Sequence, residues 1–170
     1  MDLKAHIRHV PDFPKPGILF YDITTLLRDP EGFRTTVDAL AAPYQRREVD
    51  VVVGIESRGF ILGAAVALRL GAGFVPIRKP GKLPAKTRKE TYALEYGTDA
   101  LEIHEDAVVA GQRVLIVDDV LATGGTAAAA TKLVRDSGGA LQGLAFLLEL
   151  GFLDGRAKIP GEQVFSVLQY

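Results

Sequence analysis

The clearest pattern along the chain is a pair of apolar runs, residues 49–55 and 113–117, rich in β-branched and aliphatic side chains with little polar alternation. Such runs are typical of strands that are buried on both faces of a parallel sheet. A helical pattern of small and apolar residues follows each run, over 60–70 and from about 125 to 137, and glycine ends both helices. The pattern therefore predicts two strand–loop–helix units.

Shorter elements extend these two units into a larger sheet. Apolar runs predict further strands over residues 74–77, 144–148 and 165–168. Earlier in the chain, Asp29 is placed to cap a helix whose apolar side chains recur at helical spacing as far as Tyr44. Strands that alternate with helices indicate an α/β fold with a doubly wound, mostly parallel sheet.

Two loops and one long segment are the candidate functional regions. Ligands of doubly wound sheets bind beyond the carboxyl ends of the strands, which singles out the loops 56–59 and 118–126. Residues 78–106 show no apolar periodicity that predicts a core, and their first part, 78–89, holds six Lys and Arg with no acid. We interpret 78–106 as a mobile loop of the kind that closes over an active site; a solvated surface segment is the alternative.

The composition narrows the class of protein. A length of 170 residues predicts one domain over 1–170. The formal net charge of −1 argues against bulk electrostatic binding to nucleic acid or to membranes. The chain has no cysteine, which excludes disulfides, thiolate nucleophiles and cysteine-bound zinc, and it has three histidines. Since neither a long apolar stretch nor a secretory pattern is found, we expect a cytoplasmic protein.

The loop 118–126 has the composition of a phosphate-binding turn. Asp118 and Asp119 follow the second apolar run, and a segment of hydroxyl and glycine residues opens the next helix. Free N–H groups at a helix N-terminus bind phosphate monoesters, while adjacent carboxylates suit vicinal hydroxyls or an indirect hold on magnesium. The spacing matches neither a Walker A loop nor the dinucleotide-binding fingerprint. An ordinary strand–turn–helix with a capping aspartate is the alternative.

Residues 114–126 resemble the phosphoribosyl pyrophosphate (PRPP) motif of the type I phosphoribosyltransferases. The resemblance implies the fold of that family, with a small N-terminal hood over about residues 1–30. It implies that Asp118 and Asp119 hold the 2- and 3-hydroxyls of the ribose. The implied ligands of the 5-phosphate are Ala122, Thr123, Gly124, Gly125 and Thr126. Magnesium is implied only as an ion carried by PRPP or pyrophosphate, without a metal site on the protein.

The same resemblance assigns the pyrophosphate to two other segments. The loop 56–59 corresponds to a family segment that contacts pyrophosphate and often carries a cis peptide bond without proline. The implied pyrophosphate ligands are Ser57 and Arg58, with Arg78, Lys79 and Lys82 as candidates to join them. A basic loop that closes over the site would neutralise a departing pyrophosphate and exclude water. A plain turn with an exposed arginine is the alternative for the first segment.

Four further segments, 13–22, 78–84, 94–97 and 101–103, resemble the members of this family that act on adenine. The implied adenine-binding residues are Leu19, Phe20 and Tyr21, with Phe20 stacking on the purine face and backbone amides reading its edge. Glu95 is implied as the catalytic acid or base. A core aromatic and a surface carboxylate are the alternatives for Phe20 and Glu95. Members that act on 6-oxopurines carry an acid at the position of Ala122, and alanine cannot take its place at the purine N7.

The resemblance therefore implies the reversible reaction of adenine with PRPP to give AMP and pyrophosphate, catalysed by a homodimer. One alternative is the same transfer to another 6-aminopurine. An alternative from a different class is a non-catalytic regulator that binds PRPP or a nucleotide on the same fold. The net charge of −1 argues against a regulator that acts on nucleic acid.

Overall fold

The computed structural model describes residues 1–94 and 96–170. The strands of the described residues are β1 (Arg8–Pro11), β2 (Leu19–Asp22), β3 (Val51–Ile55), β4 (Gly73–Ile77), β5 (Thr87–Ala93), β6 (Thr98–His104), β7 (Arg113–Leu121), β8 (Ala140–Glu149) and β9 (Val164–Gln169). The α-helices are α1 (Thr24–Arg28), α2 (Pro30–Ala41), α3 (Arg58–Leu70) and α4 (Gly125–Asp136). Short 3-10 helices cover Lys4–His6, Ala42–Tyr44, Gly151–Leu153 and Gly155–Lys158.

A parallel sheet with the strand order β4-β3-β7-β8-β9 forms the centre of the described chain. Each neighbouring pair runs in the same direction, with Val52 of β3 opposite Phe74 of β4 on one side and opposite Leu115 of β7 on the other. The doubly wound α/β fold predicted from the sequence is confirmed. Because the strands are parallel, the loops after β3, β4 and β7 emerge at one edge of the sheet.

Both faces of the sheet are covered, which explains why its central strands are apolar without alternation. On one face, Leu40 of α2 and Leu62 of α3 pack with Leu115 of β7. On the other face, Leu133 of α4 packs with Ile116 of β7. All five of these side chains are at most 1% exposed, so the sheet is a rigid platform for the loops at its edge.

The predicted ends of the helices agree with the structure. The Asp29 carboxylate accepts a hydrogen bond from the Gly32 N–H at 2.7 Å and caps α2. Helix α3 ends at Gly71, which has a φ of 69°, a backbone conformation that glycine adopts without steric cost. In the described residues, no helix is long and apolar enough to cross a membrane.

The prediction of a loop without a core over residues 78–106 is wrong. Strands β5 and β6 pair antiparallel, with Arg88 opposite Ile103, and form a hairpin beside α4. Leu101 and Ile103 alternate with the partly exposed Glu102, and both are buried in the core at 1% and 0% exposure. Only β6 shows this alternation. The charged residues of β5 beside it gave the segment as a whole a polar pattern, so the sequence did not predict a core there.

The prediction from the sequence that the second buried strand ends at residue 117 is also wrong. Strand β7 continues to Leu121, so Asp118 and Asp119 lie within a strand and not in a loop. The strand remains paired with β8 at this point, with Asp118 opposite Phe146. A strand holds carboxylates more rigidly than a loop does, because its backbone is fixed by hydrogen bonds to its neighbours.

The N-terminal region forms a separate small hairpin. Strands β1 and β2 pair antiparallel, with Val10 opposite Phe20 and His9 opposite Tyr21. In such a pair successive side chains alternate between the two faces of the hairpin. Phe20 and Tyr21 therefore point to opposite sides.

Candidate active site

A cavity of about 210 Å³ opens at the carboxyl edge of the sheet, between the loops that follow β3 and β7. The loop after β3 contributes Ser57 and Arg58, and the Glu56–Ser57 peptide bond is cis. The loop after β7 contributes Ala122, Thr123, Gly124 and Thr126. Two segments that are far apart in the sequence thus meet because their strands are neighbours in the sheet.

Asp118 and Asp119 form the polar floor of this cavity, and their side chains are almost completely buried. The Asp118 carboxylate accepts a hydrogen bond from the Asp119 N–H at 2.9 Å. Burial raises the pKa of Asp118 well above its usual range, and the neighbouring charge of Asp119 raises it further. Gly59 packs so close that a Cβ there would lie 2.7 Å from Asp118 Oδ1. The pair is therefore held in a buried, tightly packed position.

Arg58 supplies the cation of the site. Its guanidinium donates a hydrogen bond to Asp119 and forms an ion pair with it. Burial alone lowers the pKa of Arg58, but the charge of Asp119 and the hydrogen bond to it outweigh this effect and the pKa is raised. The guanidinium carbon also lies 5.8 Å from the centroid of the Phe20 ring. Arg58 consequently joins the carboxylate floor to the N-terminal hairpin.

The loop between β7 and α4 has the geometry of a phosphate cradle. Gly124 has a φ of 88° and precedes the first residue of α4, so the first N–H groups of that helix are free of partners within it. The Thr126 hydroxyl lies 3.4 Å from the Tyr92 hydroxyl of β5. An anion in the cavity meets free N–H groups and the positive end of the helix dipole.

The first two basic residues after β4, Arg78 and Lys79, are paired with acids. Arg78 donates to Glu56 at 3.1 Å, and the Lys79 N–H donates to the same carboxylate at 2.8 Å. These bonds lower the pKa of Glu56, chiefly through the Lys79 N–H. The Lys79 ammonium forms an ion pair with Asp99 of β6. Arg78, Lys79 and Lys82 are not among the described residues that line the cavity.

A second cavity, of about 390 Å³, lies beside the first and is lined by the N-terminal hairpin. Phe20 and Phe13 form an aromatic wall with their rings edge to face at 5.1 Å, and Arg58 also lines the cavity. Leu19 is 43% exposed at the start of β2. Because Arg58 lines both cavities, a planar apolar group in the second lies next to an anion in the first.

The Tyr21 side chain faces away from this second cavity. Its ring centroid lies 4.2 Å from that of Tyr170 and 5.2 Å from that of His9. Only the backbone of Tyr21 is therefore available on the side of Phe20. Strand β2 pairs with β1 alone in the described residues, which leaves alternate backbone groups of β2 open to a ligand.

The predicted catalytic residue, Glu95, lies outside the described residues. Three residues near the site were missed: Glu56, Asp99 and Tyr92. Each of them contacts a residue on another segment of the chain. Its neighbours in the sequence therefore gave no indication that it lies near the site. Among the described residues, no three His, Asp or Glu side chains are grouped so that they could hold a metal ion.

Comparison with known proteins identifies the family to which this chain belongs. The family model of the phosphoribosyl transferase domain matches residues 24–158, and the chain belongs to this family. Adenine phosphoribosyltransferase of Solibacter usitatus is 63% identical over 169 residues, which are 99% of this chain and 98% of that protein. The family relationship predicted from the sequence is confirmed. The relative's name also agrees with the adenine-specific branch of the family that the sequence indicated.

Solved structures of relatives agree with the fold. Adenine phosphoribosyltransferase from Thermoanaerobacter pseudethanolicus superposes with a TM-score of 0.97 at 53% identity, over 99% of this chain and 98% of that chain. The enzyme from Saccharomyces cerevisiae, solved with D-2,5-dideoxy-2,5-imino-altritol 1,6-bisphosphate and adenine, has a TM-score of 0.92 at 45% identity. That match covers 98% of this chain and 96% of the yeast chain.

Proposed function

We propose that this chain transfers the 5-phosphoribosyl group of PRPP to adenine, giving AMP and pyrophosphate in purine salvage. The observation that carries the proposal is the pair of adjoining cavities: one has a carboxylate floor and a helix N-terminus, and the other has an aromatic wall. The first suits a phosphorylated sugar and the second a planar base. Relatives that are 63% and 62% identical in sequence are named adenine phosphoribosyltransferases.

In the proposed complex, the ribose lies over Asp118 and Asp119. Its 2- and 3-hydroxyls donate hydrogen bonds to the two carboxylates, which favours their ionised forms. The 5-phosphate accepts hydrogen bonds from the free N–H groups of the loop 122–126 and from the Thr123 and Thr126 hydroxyls. These contacts position the sugar so that its C1 faces the second cavity.

The reaction exchanges one bond at C1 for another. The bond from C1 to the pyrophosphate oxygen breaks, the bond from C1 to N9 of adenine forms on the opposite face, and N9 loses its proton. Positive charge develops on the ribose ring between the two events. The buried carboxylates lie under this ring and stabilise its charge. Glu95 is the proposed acid or base for the adenine.

The base binds against Phe20 in this proposal. The ring of Phe20 stacks on the purine, and backbone groups of Leu19 and Tyr21 read the purine edge. Ala122 lines the first cavity at the position where 6-oxopurine enzymes of the family carry an acid. We infer from this that adenine is accepted and hypoxanthine is not.

Pyrophosphate leaves toward the cations. Ser57 and Arg58 line the cavity and are its proposed first ligands. Arg78 and Lys79 contribute by exchanging their carboxylate partners, Glu56 and Asp99, for pyrophosphate oxygens. Lys82, on the same segment, is the third proposed cation. Magnesium enters as part of the substrate: oxygen atoms of the diphosphate are ligands that this ion prefers, and it keeps several water molecules.

A homodimer and a cytoplasmic location belong to the same proposal. On α3, Ile61, Ala65 and Leu68 form an apolar stripe, and Ile61 and Leu68 are 47% and 85% exposed. A contiguous apolar surface of this kind favours association with a second copy. The location follows from the substrates, because PRPP and AMP carry charges that do not cross a membrane.

The test is to incubate the purified protein with magnesium, PRPP and one purine at a time. AMP from adenine alone is the expected result, and equal turnover of hypoxanthine would contradict the inference from Ala122. Asp119→Ala is expected to lower kcat/KM for PRPP roughly a hundredfold or more, since it removes a charge under the reacting ring. Asp136→Ala, on the far end of α4, is the matched control. PRPP binding without turnover of any base would favour the regulator.

A further inference from the structure

An ion pair between a buried carboxylate and a half-exposed arginine lies behind the phosphate loop, outside both cavities. Glu149, the last residue of β8, is 8% exposed. Its carboxylate accepts hydrogen bonds from Arg156 Nε at 2.7 Å and from Arg156 Nη2 at 2.8 Å. The Ser166 hydroxyl of β9 donates a third at 2.6 Å. Two parallel bonds from one guanidinium fix its position as well as its charge, because both groups are planar.

The residue before Arg156 packs directly on the phosphate loop. A Cβ on Gly155 would lie 2.5 Å from the Ala122 carbonyl oxygen and 3.0 Å from Leu121 Cδ1. A Cβ on Gly124 would collide with the Gly155 carbonyl. The two backbones therefore touch without intervening side chains. Any shift of Gly155 is transmitted to the residues that form the phosphate cradle.

The opposite side of the loop is held by the hairpin. The Tyr92 ring lies 3.1 Å from where a Cβ on Gly125 would be, and its hydroxyl lies 3.4 Å from the Thr126 hydroxyl. The loop is thus clamped between Tyr92 of β5 and the segment Gly155–Lys158. The third side faces the cavity and remains open to the ligand.

We propose that Arg156, anchored by Glu149, is a positioning residue that holds Gly155 against the phosphate loop and thereby sets the affinity for the 5-phosphate of the substrate. This inference rests on the proposed function. Arg156 touches no substrate in it. Loss of the pair lets the segment after Gly155 relax, and the N–H groups of the loop lose their alignment, while the carboxylate floor and the aromatic wall keep theirs.

The test compares Arg156→Gln and Glu149→Gln with Arg135→Gln. The control breaks a similar pair, in which Arg135 Nε and Nη2 donate to Glu162 at 3.1 and 2.6 Å, at the far end of α4 from the phosphate loop. Both test variants are expected to raise the KM for PRPP roughly ten- to hundredfold, because small misplacements of binding groups have effects of this size. The KM for adenine and the kcat at saturation are expected to stay within about twofold.

Binding of AMP and of adenosine isolates the phosphate contribution. AMP is expected to lose affinity in both variants, whereas adenosine, which lacks the phosphate, is expected to bind as to the wild type. Arg156→Lys is expected to fall between wild type and Arg156→Gln, since lysine keeps the charge but not the paired bonds. Should Arg156→Gln fail to fold, Glu149→Gln carries the same comparison, because glutamine keeps the volume and the bond from Ser166.

Three outcomes would overturn the inference: an unchanged KM for PRPP, an equal loss of adenosine and AMP affinity, or the same loss in Arg135→Gln. A wild-type protein that forms no AMP would overturn the proposed function instead. An active wild type with unaltered variants would overturn the positioning role alone.

Discussion

At the scale of single residues, the site is built at the expense of stability. Asp118 is buried beside a second carboxylate, and both the burial and the neighbouring charge disfavour its ionised form. Arg58 offsets part of this repulsion through Asp119. In the proposed complex, ribose hydroxyls donate hydrogen bonds to the pair and favour its ionised form. The proposed function, and not folding, therefore accounts for two adjacent acids at this position.

Asp118→Asn is expected to make the protein more stable and less active. Asparagine keeps the shape and accepts from the Asp119 N–H, but it carries no charge to bury. A gain of about 1 kcal/mol in the free energy of unfolding would raise Tm by roughly 2–4 °C in a domain of this size. Thermal denaturation and the kcat/KM for PRPP measure the two effects.

The size of this stabilisation depends on pH. The pKa of Asp118 is raised in the folded protein, so folding favours its protonated form. The advantage of the Asp118→Asn variant is therefore small below about pH 4, where the carboxyl is protonated in both states, and grows as pH rises toward the folded pKa. A variant less stable than the wild type at pH 7 would contradict this interpretation.

Residue types could be predicted here, but their partners could not. The motif 114–126 predicted the carboxylate pair and the proposed phosphate loop from their local sequence. The ion pair between Arg58 and Asp119 joins the start of α3 to β7, and its members are 61 positions apart in the sequence. The basic residues after β4 were expected to face pyrophosphate, yet Arg78 is bonded to Glu56. Charge along the chain does not reveal which acid from another strand neutralises it.

At the scale of elements, signals in the local sequence predicted where most of the helices begin and end. The Asp29 cap and the glycine at the end of α3 act within a few residues, so they can be read without knowing the fold. The hairpin β5–β6 was missed because its burial depends on α4, which packs against it from another part of the chain. Its strand β6 alternates, but β5 is mostly exposed and charged.

Asp29→Ala is expected to lower the free energy of unfolding by about 1 kcal/mol, because it removes the hydrogen bond to the Gly32 N–H. Denaturant unfolding measures the loss. Asp29→Asn is the control, since its side-chain oxygen can still accept that bond. The KM values for adenine and PRPP are expected to be unchanged in both variants. A change in either KM would mean that α2 acts on the site.

At the scale of the whole molecule, acid is expected to destabilise the fold. Six described carboxyl groups have a lowered pKa in the folded protein: Asp22, Asp50, Glu56, Asp99, Glu102 and Glu149. For Glu149 the chief cause is the hydrogen bond from Arg156. A lowered pKa stabilises the fold above the unfolded value, and this stability is lost as pH falls through the folded value.

Tm is therefore expected to fall steeply below about pH 4. Glu149→Gln is expected to show a shallower fall, because glutamine does not titrate. Differential scanning calorimetry over a pH series measures both. A Tm that rises from pH 5 to pH 3 would mean that the raised pKa of Asp118 outweighs the other six.

Association is the second property of the whole molecule. Leu68→Glu places a charge in the apolar stripe of α3 and is expected to convert a dimer to monomers, because that charge would be buried on association. Val109→Glu, at a residue that is 64% exposed elsewhere on the surface, is the control. Sedimentation velocity measures the mass of each. A dimer that persists in Leu68→Glu would move the interface away from α3.

The sequence by itself determined the fold class, the family and the identity of the residues at the sheet edge, because these depend on local periodicity and on a contiguous motif. The tertiary structure decided which charges meet, which face of β2 carries Phe20, and how β5 and β6 are buried. It also placed Glu149 and Arg156 behind the phosphate loop. These features arise from contacts between segments that are distant in the chain, and such contacts leave no local pattern.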